Sequence, residues 1–253
     1  MLFHVLLGSS CLVSPWFLII WVYLIIIVSF NRIISALLMR DSTDELLTIM
    51  IYICSFEVLG RMTECYPFLP WELSKYMIVS ISIMLIIAGK IKKPNIIGAI
   101  ILLLLIPSLL IDKSNLVDNN RIIFNLLGPL SMGLMIIVIG GLRVNVEYIN
   151  LILKLVWYST VSLLVYVIIK TPDYSTLSFS LNPDFNSTGG FGSNQVATII
   201  GLGMFLSFYA WMNKLLFSGN HTLDGLFIGL FAYQGFLSFS RGGMMIGIIA
   251  IIT

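Results

Sequence analysis

The sequence predicts an all-α protein, a polytopic bundle of about eight or nine transmembrane helices. Three observations indicate this fold class. Of 253 residues, 58% are hydrophobic and only 10% are charged, and the mean hydropathy is +1.02. The hydrophobic residues form runs long enough to cross about 30 Å of hydrocarbon as helices. The basic residues lie mainly in the connections between these runs, as they do in membrane proteins.

Eight apolar runs are each predicted to form a spanning helix, and another begins near residue 243. The eight runs cover residues 12–30, 46–60, 76–89, 94–111, 122–141, 149–169, 195–212 and 225–239. The first 30 residues contain no Lys or Arg, so the opening run is expected to be a retained anchor and not a cleavable signal. The last run stops at Thr253 after about twelve residues, whereas a span needs about 20. We therefore expect 1–253 to be a single integral-membrane domain that is incomplete at its C-terminus.

Several classes of function are disfavoured by charge and by composition. The net charge is only +2, and the 14 basic residues are scattered, so no nucleic-acid partner is implied. The three cysteines are odd in number and lack CxxC spacing, and the two histidines, His4 and His221, lie far apart. Neither a disulfide framework nor a metal site is indicated, and no cofactor is expected.

The turn KIKK, residues 90–93, predicts the orientation, because short lysine-rich loops are retained in the cytoplasm. On that basis the loop at 171–194 and Arg241 lie on the outer face. The outward connection 57–76 carries Glu57 and Arg61 at i,i+4, and Glu72 and Lys75 at i,i+3, so both pairs are predicted to form ion pairs.

Two interpretations of the outward connections stay open. Tyr66, Trp71 and Tyr76 fit an interfacial aromatic belt, but the 57–76 connection also fits the rim of an outward cavity. Arg121 ends a second outward connection, 111–121, where it is either a snorkelling anchor or part of the same rim.

The external loop 171–194 is the longest polar segment, and loops of this length inside a domain are usually functional or disordered. Gly189, Gly190 and Gly192 permit positive φ, and Ser193 or Asn194 is predicted to cap a helix that begins near Gln195. The free N–H groups of such a helix start can bind phosphate oxygens or sugar hydroxyls. A flexible loop with an ordinary cap explains the glycines equally well.

Arg241 stands alone between two apolar runs, in FLSFSRGGMMIGI. An arginine at mid-membrane costs about 2.5–3.5 kcal/mol on insertion scales, so Arg241 is expected to face a polar cavity or the interface. Gly242 and Gly243 are predicted to allow a tight reversal there. A guanidinium at such a turn suits a diphosphate, since its planar fork donates two hydrogen bonds to phosphate oxygens, although a structural role fits as well.

The order of these features resembles the O-antigen ligase and O-antigen polymerase superfamily. The segments that carry the resemblance are RIIFNLLGPLSMGL, GGFGSNQVATIIGLG and LSFSRGG, together with EVLGRM and ELSKYM nearer the start. The resemblance is strongest over residues 120–247. It implies a C-type glycosyltransferase membrane fold in the bacterial inner membrane, with the active side facing the periplasm.

The resemblance also implies an activity and its residues. These proteins are metal-independent glycosyltransferases that move a glycan from an undecaprenyl-diphosphate carrier to lipid A core or to a growing polysaccharide. Ser240, Arg241 and Gly242 match the family's Ser-Arg-Gly, which assigns Arg241 to the donor diphosphate. Gly190, Asn194 and Gln195 match its glycine-rich loop and are assigned to the substrate cavity. Arg121 and Ser240 complete the predicted substrate-binding set. The family's later loop, with further arginines and a histidine, is missing, so this chain alone is expected to be inactive.

A transporter or flippase of lipid-linked or small anionic substrates is the alternative, because broken helices and intramembrane charges also mark transporter sites. Transporters bind near the midplane, however, and here only Lys154 lies well inside a predicted span. The distribution of polar residues at one face therefore favours the transferase.

Overall fold

The computed structural model describes residues 1–38, 43–87, 89, 91, 93–110, 119–140, 145–171, 186–238 and 241–252. Within these ranges every regular element is helical, which confirms the all-α fold class. A short 3-10 helix, Asn186–Thr188, precedes α9. The α-helices are α1 (Leu2–Ser10), α2 (Trp16–Leu38), α3 (Thr43–Cys54), α4 (Glu57–Met62), α5 (Leu73–Ile87), α6 (Ile96–Leu110), α7 (Asn119–Ile139), α8 (Val146–Lys170), α9 (Ser193–Met212), α10 (His221–Leu237) and α11 (Arg241–Ile252).

The chain forms two compact units. Unit 1 comprises Met1–Leu24, Ser55–Trp71 and Val146–Thr253, and unit 2 comprises Ile25–Cys54 and Glu72–Asn145. Unit 1 contains the start of α9 and the start of α11, the two elements in which the sequence places most of the candidate site.

In unit 1, α9 packs against α8, α10 and α11, while α1 packs along α8. Small residues make these close approaches possible. A Cβ on Gly203 of α9 would lie 2.3 Å from the Phe231 ring of α10, and one on Gly247 of α11 would lie 2.8 Å from the carbonyl oxygen of Gly201. Trp157 of α8 is fully buried and donates its indole N–H to the hydroxyl of Ser207 at 2.8 Å.

In unit 2, α7 packs against α5 and α6, and α3 packs against α5. Gly98 and Gly133 bring α6 and α7 together, since a Cβ on Gly98 would lie 2.5 Å from the carbonyl oxygen of Gly133. The hydrophobic core of unit 2 comprises Leu46, Leu47, Met50, Ile81, Leu85 and Val138. Pro129 lies inside α7 and Pro107 inside α6.

One predicted helix is divided, and one helix was not predicted. The run predicted as one helix over 46–60 is divided, because α3 ends at Cys54 and α4 begins at Glu57. The hydroxyl of Ser74 donates to the Cys54 carbonyl at 3.2 Å, so that carbonyl is satisfied without a further helical turn. The nine-residue α1 was not predicted, since it is too short to register as a span.

Two of the described helices, α8 and α9, are long and apolar enough to cross a membrane, judged by length and composition. About half of each apolar window is buried inside the protein. Shorter apolar helical segments occur at Trp16–Phe30, Leu73–Ile87, Ile96–Ser108 and Phe124–Ile139.

Candidate functional site

The glycine-rich turn leads directly into α9. Gly189 and Gly190 have φ of 71° and 80°, in the left-handed region that glycine tolerates best, as the sequence predicted. The N-cap of α9 is Gly192, with no side-chain cap, and the N–H groups of Gln195 and Val196 both donate to its carbonyl. The prediction that Ser193 or Asn194 caps the helix is therefore wrong, because the helical bonds already begin at Gly192.

Three of the predicted substrate-binding residues lie together around this turn. Gly190, Asn194 and Gln195 are exposed, and the space where a Cβ of Gly190 would project is open. The amides of Asn194 and Gln195 sit in the first turn of α9, whose leading N–H groups point out of the helix. The turn thus offers hydrogen-bond donors and acceptors at an accessible surface.

The side chain of Arg61 in α4 forms hydrogen bonds both with the first turn of α9 and with the segment that follows α4. Its Nε donates to the Trp71 carbonyl at 2.7 Å, and its Nη1 donates to Gln195 Oε1 at 3.2 Å. Its Nη2 forms an ion pair with Glu57, which confirms the predicted i,i+4 pair. The two charged side chains are mostly buried, at 18% and 16% exposure. The structure therefore brings EVLGRM and GGFGSNQ, 134 positions apart, into direct contact.

The C-terminus of α8 lies beside the same turn. Lys170 donates its ammonium to the Tyr166 hydroxyl at 2.8 Å, and Tyr166 donates to the Met62 carbonyl of α4 at 3.2 Å. A Cβ on Gly189 would lie 3.7 Å from Cδ of Lys170. Lys170 and Tyr166 were not predicted as site residues, because nothing local in the sequence indicates that the end of α8 meets α4.

Gln234 of α10 is a further residue that the sequence analysis missed. It is fully buried and donates Nε2 to the Ser187 carbonyl at 2.9 Å, in the 3-10 helix before the glycine turn. The available signal was its position as a lone amide within the apolar run 225–239.

The C-terminus of α8, the start of α9 and the C-terminus of α10 lie at one end of unit 1, which we call the site end. α11 begins at this same end. α10 runs antiparallel to α9, since Gln234 contacts Ser187 whereas Gly225 lies beside Trp211. Only residues 238–240 separate α10 from α11. Arg241 is four residues after Leu237, a separation of at most about 14 Å, so the backbone of Arg241 also lies near the site end.

The chain does turn back between α10 and α11, but the predicted placement of the reversal at Gly242 and Gly243 is wrong, because both glycines are in the first turn of α11. The chain leaves α10 after Leu237, where the Ser238 N–H donates to the Gln234 carbonyl, and enters α11 at Arg241. Ser240 and the side chain of Arg241 lie outside the described residues, so their assigned contacts with substrate stay predictions.

Arg121 is in α7 and belongs to unit 2, and its side chain also lies outside the described residues. In the same unit, Lys75 forms the predicted i,i+3 ion pair with Glu72 and lies 5.7 Å from the centre of the Phe124 ring. A Cβ on Gly128 would lie 3.8 Å from Cε of Lys75. ELSKYM and RIIFNLLGPLSMGL therefore pack against each other. Arg121 stays a predicted substrate-binding residue.

No metal centre is found among the described residues, where no three His, Cys, Asp or Glu side chains group together. The three cysteines are free thiols. Burial raises the pKa of the Cys65 thiol, although a hydrogen bond from Thr63 partly offsets the effect, and burial raises the pKa of Cys11 to about 12. Neither thiol is a reactive nucleophile.

No protein-family model matches the chain, and no curated protein or solved structure matches it either. The resemblance to O-antigen ligases and polymerases therefore rests on the quoted sequence segments.

Proposed function

We propose that the protein is a multi-pass membrane protein of about eight or nine spans in a bacterial inner membrane. The apolar helices support this proposal, and so do large apolar side chains on outward faces. Ile27, Ile87 and Leu104 are 69%, 81% and 72% exposed, which is unfavourable in water and favourable in lipid.

The proposed activity is transfer of a glycan from an undecaprenyl-diphosphate carrier to lipid A core or to a growing polysaccharide, at the periplasmic face. An acceptor hydroxyl attacks the anomeric carbon of the donor sugar. The bond from that carbon to the diphosphate oxygen breaks, and the carrier diphosphate leaves with the electron pair. The hydroxyl proton passes to a base, and no residue of this chain is assigned that role.

Arg241 is the residue proposed to bind the carrier diphosphate. Negative charge grows on the leaving diphosphate as the anomeric bond breaks, so a fixed guanidinium stabilises the transition state more than the ground state. In this proposal Asn194 and Gln195, with Gly190, line the part of the cavity that receives the sugar. Ser240 and Arg121 keep their predicted roles as substrate-binding residues.

One observation carries the proposal: two of the segments that produced the resemblance are in contact, and the third leads from the end of α10 at the site end into α11. Arg61 of EVLGRM hydrogen-bonds Gln195 of GGFGSNQ, and α11 begins with Arg241, four residues after the last residue of α10. A chance resemblance of short segments gives no reason for residues 61, 195 and 241 to share one end of a helical unit.

The test is transfer of glycan from purified lipid-linked donor to purified acceptor. The protein is expressed from its full reading frame and reconstituted in liposomes, and the assay contains a metal chelator. We expect a glycosylated acceptor and free undecaprenyl diphosphate in equal amounts. Movement of the lipid-linked donor across the liposome bilayer without any transfer would contradict the proposal and favour the flippase.

A further inference from the structure

Gln234 is a buried amide near the C-terminal end of α10, where its buried neighbours on the same helix are Phe231 and Gly235. Its side chain is 0% exposed, and it lies one turn from the C-terminus of α10. A buried amide is strongly disfavoured unless it makes hydrogen bonds, and more so in a membrane. The hydrogen bonds of Gln234 therefore indicate its structural role.

The amide nitrogen of Gln234 joins three elements. Nε2 donates to the Ser187 carbonyl at 2.9 Å and also approaches the Thr171 hydroxyl oxygen at 3.3 Å. Thr171 follows α8 directly and donates its own hydroxyl to the Val167 carbonyl at 2.7 Å. One side chain on α10 thus connects the 3-10 helix before the glycine turn to the end of α8.

The segment that Gln234 holds is short and internally constrained. Ser187 and Thr188 are both fully buried, and the Thr188 hydroxyl donates to the Phe191 carbonyl at 2.8 Å. Only four residues separate Thr188 from Ser193, where α9 begins. Fixing the Ser187 carbonyl therefore fixes where the first turn of α9 presents its amides.

The amide oxygen of Gln234 argues against a purely stabilising role for this residue. Oε1 of Gln234 is buried and has no hydrogen-bond partner within the described part of the chain. An apolar side chain of the same size would avoid leaving an acceptor unpaired. The two contacts of Nε2 are what a glutamine supplies here and a leucine or methionine does not.

We propose that Gln234 is a positioning residue that fixes the turn from Ser187 to Asn194 and thereby orients the predicted substrate-binding amides. Its effect on transfer rests on the proposed function, whereas its effect on the turn does not. The effect on the turn and the effect on transfer are measured in separate experiments.

The turn is tested with a cysteine at the buried Ser187, in a Cys54→Ala background that removes the one native thiol that is not buried. Labelling by a small maleimide reports opening of the turn. We expect Gln234→Leu to raise the labelling rate about ten-fold, because the Ser187 carbonyl loses the shorter of its two hydrogen bonds and keeps the 3.4 Å bond from the Thr171 hydroxyl. Phe236→Leu is the matched control, since Phe236 lies on the same helix and is 64% exposed. Equal labelling rates in Gln234→Leu and the parent would overturn the proposal.

The conservative variant Gln234→Glu separates the effect of losing the hydrogen-bond donor from the effect of altered packing. In Gln234→Glu, burial favours the neutral carboxylic acid, whose O–H at pH 6 should donate to the Ser187 carbonyl as the amide does. Labelling should stay at the parent rate at pH 6 and rise towards the Gln234→Leu rate once the carboxyl ionises. Rates are normalised at each pH to a cysteine at the exposed Asn213. Fast labelling of Gln234→Glu at pH 6 would contradict the role of the donor.

Transfer is then measured with the donor as the varied substrate. Gln234→Leu should raise the KM for the lipid-linked donor about ten-fold, while Gln234→Glu at pH 6 stays near the parent value. If the turn opens but donor KM is unchanged, Gln234 does not position this site and the proposal is wrong. If the parent protein shows no transfer, the proposed function fails, and the labelling rates alone decide whether Gln234 holds the turn.

Discussion

At the scale of residues, Arg61 illustrates why an arginine and not a lysine stands in α4. Its guanidinium makes three contacts in different directions, with the Trp71 carbonyl, Gln195 and Glu57. A planar fork with five N–H donors can make all three at once, whereas an ammonium on a flexible stem cannot hold the same geometry. Arg61 therefore acts as the joint between α4 and the start of α9.

Replacing Arg61 tests this joint. We expect Arg61→Ala to lower the free energy of unfolding by about 1–3 kcal/mol, because it leaves the mostly buried Glu57 without its cation. Arg61→Lys should recover only part of that loss. Thermal unfolding in detergent gives the comparison. Lys214→Asn is the control, since Lys214 is exposed at a positive φ that asparagine tolerates. An unchanged unfolding temperature in Arg61→Ala would show that the contacts are not maintained.

Short-range residue contacts were predictable, and long-range ones were not. The Glu57–Arg61 and Glu72–Lys75 pairs follow from helical spacing alone, and both are confirmed. The bonds from Arg61 to Gln195 and from Gln234 to Ser187 join residues 134 and 47 positions apart. Such contacts depend on how helices pack, which a single sequence with its apolar periodicity does not specify.

At the scale of elements, unit 1 depends on glycines where α9 meets its neighbours. Gly203 faces the fully buried ring of Phe231, and three ring atoms lie within 2.8 Å of where a Cβ would project. Gly229, by contrast, lies on α10 with open space at its Cβ position. The two glycines have the same helical propensity but opposite packing environments.

We expect Gly203→Ala to destabilise the protein by about 1–3 kcal/mol, because the added methyl group forces α9 and α10 apart. Gly229→Ala should be neutral or stabilising by up to about 1 kcal/mol, since alanine favours the helix and meets nothing. Unfolding temperatures of the two variants measure the difference. Gly203→Ala combined with Phe231→Leu makes room and should recover part of the loss. Equal effects of the two alanine substitutions would contradict the α9–α10 packing.

Element boundaries were predicted best where an apolar run is long and uninterrupted. The runs at 149–169 and 195–212 became α8 and α9 with small extensions. The prediction of a single helix over 46–60 failed because the Ser74 hydroxyl donates to the carbonyl of Cys54 at the end of α3. This contact comes from a different helix. The placement of the reversal at Gly242 and Gly243 failed because consecutive glycines permit a turn without requiring one, and the chain turns back before them.

At the scale of the whole molecule, the sequence correctly predicts the all-α class from composition and from run length. Cys65 lies in the 57–76 connection, which the sequence places on the outer face, but the structure makes Cys65 unsuitable as a reporter of that face. Cys65 is 1% exposed, and burial raises the pKa of its thiol, so it will react slowly on either side of a membrane. Cys11 is buried as well, which leaves a low background for introduced cysteines.

Introduced cysteines at the two ends of α9 test the orientation. Asn194 and Asn213 are both exposed, at the start of α9 and just after its end. In a Cys54→Ala background, Asn194→Cys should react with a membrane-impermeant maleimide in intact spheroplasts, and Asn213→Cys only after lysis. Reaction of both in intact cells would mean that α9 does not span the membrane. The reverse pattern would place the site end in the cytoplasm.

The central claim is that the site end binds a lipid diphosphate through Arg241, and the transfer assay on Arg241→Lys tests it most directly. Lysine keeps the charge and loses the planar fork, so transfer should fall nearly as far as in Arg241→Ala, at matched membrane abundance. An interfacial anchor predicts the opposite result, because lysine snorkels as well as arginine does. Near-normal transfer by Arg241→Lys would contradict the diphosphate role, and so would a loss of abundance that matches the loss of transfer.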